Sequence, residues 1–367
     1  MIEMMKKLEY RKIQRVGKGS FILTLPREWV KEVGLDKGDH IAVMVQGDQS
    51  LLLIPRKILD KKEKEERAQR EFRIHVGAES DIESVCRMIR SLYVVSADLI
   101  RICFKSKVPP EYKTTIRHLS KNLLLGSEII RESDNEITLQ ILIDHPDFPV
   151  DQAIRRMAIL ALSANQEAIS ALRECDRHTI EIISETCDDV ERLNLYVIRQ
   201  LKYYLEQKDP EALGFKSPKE FLGYRIIANV IKEIADNALN IANNIQTVQN
   251  MIKDQMLLLN RSLDEELYTQ ILEFNSKAHR FFEEALNVLF RRDYEGADRL
   301  ISEYQATTRL ENDIVIMLSS KKLDPNISAI LRLIINNSRK IIEGGRNIAE
   351  ITLNRTVEEK ADWTILS

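Results

Sequence analysis

Positively charged side chains are concentrated at the start of the chain. Residues 1–57 contain eleven Lys and Arg against seven Asp and Glu, so this segment carries about four positive charges, whereas the rest of the chain carries about seven negative ones. Because Lys and Arg neutralise phosphate groups, such a segment is a candidate polyanion-binding surface. An ordinary solvated face would explain the same imbalance.

Residue patterns that support catalysis are missing from the sequence. Residues 17–20 read Gly-Lys-Gly-Ser, but they lack the spacing of a nucleotide-binding loop and precede a strand, which favours a hairpin turn. Cys187 is followed by Asp188 and Asp189, whose charges disfavour a nucleophilic thiolate. We therefore do not expect an enzyme. The histidines have no metal-ligand or general-base spacing, and we expect surface or half-buried positions for His40, His75, His118, His145, His178 and His279.

The first 57 residues have the punctuation of β structure. Pro26 and Gly34 delimit a short helix at 27–33. So short a segment buries little apolar surface alone, and dimerisation would supply the missing core. The predicted strands are 10–16, 21–25, 41–45 and 51–54.

Two short segments follow the N-terminal one. Residues 58–71 are a mixed-charge run, which we interpret as an exposed helical connector. Residues 72–148 have an α/β pattern to which we assign no function. Its predicted strands are 72–76, 99–104, 129–130 and 137–143, and its helices are 81–97 and 110–125.

Residues 149–355 have helical periodicity almost throughout, with breaks that predict six helices in two sets of three. The sets span about 149–253 and 262–355 and are related, because the sequence of 236–242 is echoed at 343–349 and that of 190–193 at 307–310. A duplicated three-helix bundle is the simplest interpretation. Residues 356–367 are predicted to be a tail.

The cellular location follows from the cysteines and from the apolar runs. The four cysteines never approach CxxC spacing, the first residues carry charges where a signal peptide needs an apolar core, and no apolar run is long enough to span a membrane. We expect a soluble cytoplasmic protein without membrane insertion.

Residues 8–57 contain the ordered series Gly19-Ser20, Thr24-Leu25-Pro26, Gly34-Leu35 and Gly38-Asp39. With this series the segment resembles the AbrB/MazE swapped-hairpin DNA-binding domain. It implies interleaved hairpins from two chains and a basic face on DNA. By position, the implied phosphate contacts are Lys12, Arg15, Lys18 and Arg27, with Arg11 and Ser20 as additional candidates, and one or two arginines would read bases. The alternative is a strand edge protected by charge.

Residues 149–355 combine the duplicated bundle with Asp-x-Ala-x-Asn-Ile-Ala at 236–242 and with the stretch 188–193 followed by 198–201. In these features they resemble the PhoU family of phosphate-uptake regulators. The whole chain, with an AbrB-like first segment, an α/β middle segment and a PhoU-like last segment, resembles a fused archaeal type of regulator. The implied fold class is multidomain α+β, with a dimeric swapped-hairpin β domain, a small α/β domain and an all-α PhoU-like domain.

PhoU proteins often carry acids four residues apart on one helix face, which hold iron or zinc clusters. The matching pairs here are Cys187/Glu191, Lys232/Asp236, Tyr304/Thr308 and Arg339/Glu343. Two of them have a cation in place of an acid, which repels a metal and offers an ion pair instead, so we expect no metal and no other cofactor. The alternative is iron or zinc at Glu185, Asp189, Asp236 and Glu343; the first two keep the spacing but lie outside the matched register.

The two resemblances imply a DNA-binding transcriptional regulator of phosphate uptake that acts as a homodimer. The alternative is a regulator that docks on a subunit of a phosphate ABC transporter and uses its N-terminal domain mainly to dimerise. An antitoxin is a third alternative, although antitoxins of this type usually end in a short disordered tail.

Overall fold

The chain divides into two compact units, Met1–Gln69 and Arg70–Ser367. No helix in the described ranges is long and apolar enough to cross a membrane. The computed structural model describes residues 9–17, 19–45, 49–59, 69–77, 79–105, 108–143, 148–172, 177–207, 213–253, 265–321 and 323–360.

The N-terminal unit contains two short antiparallel hairpins and a helix. Strand β1 pairs with β2 and β3 with β4, and within the described residues the two hairpins are separate sheets. Gly34 ends the helix as predicted, and its φ of 66° is a left-handed conformation that favours glycine. The bounds are β1 (Gln14–Val16), β2 (Ser20–Ile22), α1 (Arg27–Val33), β3 (Ile41–Val45) and β4 (Leu51–Pro55).

Strands β1 and β2 are shorter than the predicted strands 10–16 and 21–25. Their register pairs Gln14 with Ile22 and Val16 with Ser20. Beyond these pairs, the described part of the unit offers no neighbouring strand to accept the backbone hydrogen bonds. The strands therefore end where pairing within one chain ends.

Apolar side chains of the N-terminal unit lie largely on its surface. Phe21 is 70% exposed and Val45 is 72% exposed. So many exposed apolar side chains on a small folded unit indicate a surface that another chain covers. Further exposed apolar residues of this unit are Tyr10, Ile13, Val16, Ile22, Leu23, Val43, Met44, Leu51 and Leu52.

The second unit begins with a four-stranded mixed sheet. Its strand order is β5-β6-β8-β7, in which β5 and β6 are parallel and the other neighbours antiparallel. Asp81 starts the first helix by accepting hydrogen bonds from the backbone of Glu83 and Ser84. The bounds are β5 (Glu71–Val76), α2 (Ile82–Val94), β6 (Leu99–Phe104), α3 (Pro110–Leu123), β7 (Ser127–Glu132) and β8 (Glu136–Ile141).

Six long helices follow within the described residues, as the periodicity predicted. Their apolar faces form one continuous core, with Ile154, Tyr196 and Phe282 fully buried. The observed order of a small β region, an α/β part and a helical region confirms the predicted α+β fold class. The bounds are α4 (Val150–Ser170), α5 (Arg177–Gln207), α6 (Glu220–Lys253), α7 (Glu265–Arg291), α8 (Tyr294–Ser320) and α9 (Pro325–Lys360).

The α/β segment packs on the helices through α5. Both α2 and α3 contact α5, and Leu195 of α5 belongs to the core of the sheet. The segments at 72–148 and 149–355 therefore lie in one compact unit. Residues 60–68 of the predicted connector lie outside the described residues.

Helix α9 extends past residue 355, where a tail was predicted. Thr356 is buried and donates a hydrogen bond to the carbonyl of Thr352, and Lys360 forms an ion pair with Glu295. These contacts continue the helix to Lys360 and correct the predicted boundary. Residues 361–367 lie outside the described residues.

Candidate functional site

The predicted DNA contacts of the N-terminal unit are exposed but do not share one face. Arg15 lies opposite Phe21 in the hairpin, whereas Ser20 lies opposite Val16. Because side chains alternate along a strand, Arg15 and Ser20 leave opposite faces of the β1–β2 hairpin. Arg27 is the first residue of α1. Lys18 lies outside the described residues.

The exposed cations of this unit differ in their partners. Arg11 forms an ion pair with Glu9, and Lys57 Nζ lies 2.8 Å from Asp39 Oδ2. The hydrogen bond from Lys57 lowers the pKa of Asp39 below its usual value. Lys12 and Arg27 make no ion pair with any described residue. Their charges therefore remain available to a polyanion.

In the first helical set, Lys232 forms ion pairs with the acidic residues at the positions that match the metal-binding pattern of PhoU proteins. Lys232 Nζ lies 2.6 Å from Asp236 Oδ2 on the same helix and 3.7 Å from Glu191 Oε2 on α5. Burial by itself lowers the pKa of Lys232, but the hydrogen bond from Lys232 to Asp236 and the charge of Glu191 outweigh burial, so the pKa is raised. The ammonium group thus occupies the position between two carboxylates.

The second helical set repeats this arrangement with an arginine. Arg339 Nη1 lies 3.1 Å from Glu343 Oε1, and Arg339 Nε lies 3.5 Å from Glu311 Oε1 on α8. Burial raises the pKa of Glu311, Arg339 opposes that rise, and the nearby charge of Glu343 adds to it. The pairing with Glu311 was not predicted, because this residue lies outside the Tyr304/Thr308 pair.

The remaining metal candidates lie apart from these pairs. Glu185 is exposed, and Asp189 forms an ion pair with Arg192 at 2.9 Å. Among the residues that the structure describes, no three His, Cys, Asp or Glu side chains are grouped as metal ligands. Cys187 donates to the carbonyl of Ala235, and burial raises the pKa of its thiol to about 12, in agreement with a thiol that is not nucleophilic.

Two charged clusters bind distant parts of the second unit together. Arg199 of α5 donates to the carbonyls of Tyr93 and Ala97 at 2.8 and 2.9 Å. Glu220 at the start of α6 accepts hydrogen bonds from Arg292 and Arg355. Neither cluster follows from local sequence, since the partners are separated by tens of residues.

A third buried cluster is uncharged and lies among α4, α7 and α9. Asn275 Nδ2 donates to Asn165 Oδ1 at 2.8 Å and to Ser338 Oγ at 3.0 Å. His279 Nε2 lies 2.8 Å from the same oxygen of Asn165. Burial lowers the pKa of His279 to about 4. The imidazole is therefore neutral near pH 7, and its half-buried position agrees with the expectation from the sequence.

Two family models match parts of the chain. Residues 14–60 match the model described as antidote-toxin recognition MazE, bacterial antitoxin, and residues 154–245 match the PhoU domain. Both resemblances predicted from the sequence are thereby confirmed. The second helical set lies outside the matched residues.

Two solved structures show limited similarity to the chain. The phosphate transport system regulatory protein PhoU from Streptococcus pneumoniae is 15% identical with a TM-score of 0.46, over 58% of this chain and 96% of its own. PhoU from Pseudomonas aeruginosa is 14% identical with a TM-score of 0.42, over 57% of this chain and 96% of its own. No curated protein matches the chain.

Proposed function

We propose that the chain is a DNA-binding transcriptional regulator of phosphate homeostasis, in which a dimeric N-terminal domain contacts DNA and the PhoU-like helices receive the signal. The observation that carries the proposal is the combination of a MazE-type match at 14–60 with exposed cations at Lys12 and Arg27 that form no ion pair with any residue that the structure describes. The PhoU match at 154–245 supports the link to phosphate.

Replacing both Lys12 and Arg27 with alanine is expected to weaken DNA binding and its dependence on salt. A dimer would lose four charges, and each neutralised phosphate releases roughly one counterion. If all four charges contact phosphate, the log–log slope of affinity against salt flattens by about 3–4. The measurement is an electrophoretic titration of the full chain at several salt concentrations, on promoter DNA and on a scrambled duplex.

The matched control replaces Lys31 and Lys37 with alanine, because they are exposed in the same unit and are not predicted contacts. For this variant we expect the log–log slope of affinity against salt to differ by less than about 1 from that of the unchanged protein. An unaltered slope for the Lys12/Arg27 variant, without preference for promoter DNA, would contradict the proposal.

The second candidate function is docking on a subunit of a phosphate ABC transporter, with the N-terminal domain mainly dimerising the chain. The exposed apolar side chains of that domain, such as Phe21 and Val45, favour a role in association. This function predicts capture of the transporter subunit that survives loss of Lys12 and Arg27. Both candidates expect a dimer by light scattering, so a monomer at micromolar concentration would contradict both.

We also propose that the helical unit holds no cluster of transition metals. Lys232 and Arg339 each lie between two carboxylates, so the positions of a shared cluster carry positive charge. Elemental analysis of the purified chain is expected to find no stoichiometric iron or zinc. Two or more bound metals per chain, lost on Asp236→Ala, would overturn this proposal.

A further inference from the structure

The two halves of the helical unit differ at two pairs of equivalent positions where their last helices meet. The repeat that aligns 236–242 with 343–349 also aligns Val230 with Asn337 and Asn237 with Gly344. Helices α6 and α9 pack on each other, so each half contributes one residue to each of two equivalent contacts. One contact joins Val230 to Gly344, and the other is at Asn237 and Asn337.

The first contact is closely packed and apolar. A Cβ atom added at Gly344 would lie 2.6 Å from Val230 Cγ1, so Val230 packs directly against Gly344, beside a smaller cavity of about 100 Å³. The second contact contains a cavity of about 250 Å³. Its lining is rich in asparagine and consists of Asn237, Asn240, Asn244, Asn336 and Asn337 with Lys340, Ile241 and Leu333.

Asn337, which is one of the residues that line this cavity, has an amide with unused hydrogen-bonding capacity. The residue is 3% exposed, and neither its Oδ1 nor its Nδ2 has a partner among the described residues. Asn237 Nδ2 is likewise buried without a partner. Buried polar atoms are normally paired, because leaving one unpaired is unfavourable. Valine, which occupies the equivalent position 230, would avoid that penalty.

The charge around the cavity indicates a neutral ligand. Lys340 Nζ lies 3.0 Å from Glu233 Oε1, so its charge is already balanced. The nearby Glu343 is held by Arg339, which also serves Glu311. A phosphate-sized anion would therefore find no unpaired cation among the residues that line this cavity.

We propose that this cavity binds a small neutral ligand with an amide-like edge, on which a hydrogen-bond donor stands beside an acceptor. An asparagine amide pairs with such an edge through two hydrogen bonds, as it does with the edge of adenine. Ile241 and Leu333 supply apolar contacts for a flat group. A nucleobase and a primary carboxamide share this edge, and both are small enough for the cavity.

Calorimetric titration of the full chain shows whether the ligand is a nucleobase or a primary carboxamide. The probes are adenosine and cytidine for the nucleobase, L-glutamine for the carboxamide, and ribose as a neutral ligand that lacks the edge. We expect binding of a nucleoside or of glutamine but not of ribose. Asn337→Val should weaken that binding at least tenfold, as expected for the loss of about 1.4 kcal/mol or more. Asn237→Ala should weaken it in the same direction.

Asn243→Ala is the matched control, because Asn243 is exposed on α6 and does not line the cavity. It should leave binding unchanged. Without ligand, Asn337→Val should raise the melting temperature, since it removes an unpaired buried amide. The proposal fails if none of the three edge-bearing probes binds, if ribose binds equally, if both cavity variants bind like the unchanged protein, or if Asn337→Val lowers the melting temperature.

Discussion

Replacing Glu220 with alanine is expected to lower the free energy of unfolding by about 3–5 kcal/mol, because it leaves the buried Arg355 without its counter-charge and Arg292 with Glu359 alone. Glu220 forms ion pairs with Arg355 and with Arg292, the latter at 3.3 Å. Both Glu220 and Arg355 have side chains that are almost fully buried. The group joins the start of α6, the end of α7 and the last turns of α9, so its loss loosens contacts between the two helical sets.

The matched control is Glu358→Ala, which removes an exposed ion pair with Lys219 in the same region. Exposed ion pairs contribute at most about 1 kcal/mol, so the free energy of unfolding measured in urea should barely change. Chemical denaturation followed by circular dichroism measures both variants. A Glu220→Ala protein as stable as the Glu358→Ala protein would show that Arg292 and Arg355 find other partners.

Replacing Arg199 with alanine is expected to cost a comparable 3–5 kcal/mol, roughly the effect of breaking a buried charged contact. The side chain is 2% exposed, its guanidinium lies 5.1 Å from the ring centre of Tyr93, and it donates to two backbone carbonyls at the end of α2. Burial lowers the pKa of Arg199, yet these acceptors keep it paired. Its loss removes the guanidinium donor from both carbonyls, of which that of Tyr93 still accepts from the backbone of Ser96, and leaves a space between the α/β segment and α5.

Glu206→Ala serves as the control, because Glu206 also joins α5 to the α/β segment but through an exposed pair with Arg70 at 2.8 Å. We expect it to change stability by less than about 1 kcal/mol. Hydrogen exchange should show faster exchange over 70–143 in Arg199→Ala than in Glu206→Ala. Equal exchange in the two variants would mean that Arg199 does not hold the α/β segment in place.

The sequence by itself determined the elements of this protein and their order. Local signals were sufficient for that purpose: Gly34 ended α1, Asp81 capped α2, and helical periodicity located α4–α9. Motif spacing was enough to identify the MazE-type and PhoU resemblances, which the family models confirm. The cations at Lys232 and Arg339 were visible for the same reason, since residues four apart on a helix are neighbours whatever the fold.

Only the tertiary structure decided which distant side chains meet. Arg199 reaches carbonyls about a hundred residues earlier in the chain, Glu311 joins Arg339 from another helix, and Asn337 faces Asn237 across the contact of α6 with α9. Such contacts depend on how helices pack and rotate against each other, which periodicity does not specify. The repeat aligned Asn337 with Val230, but the three-dimensional packing decided that the contact at Asn337 borders a cavity of about 250 Å³ and the contact at Val230 one of about 100 Å³.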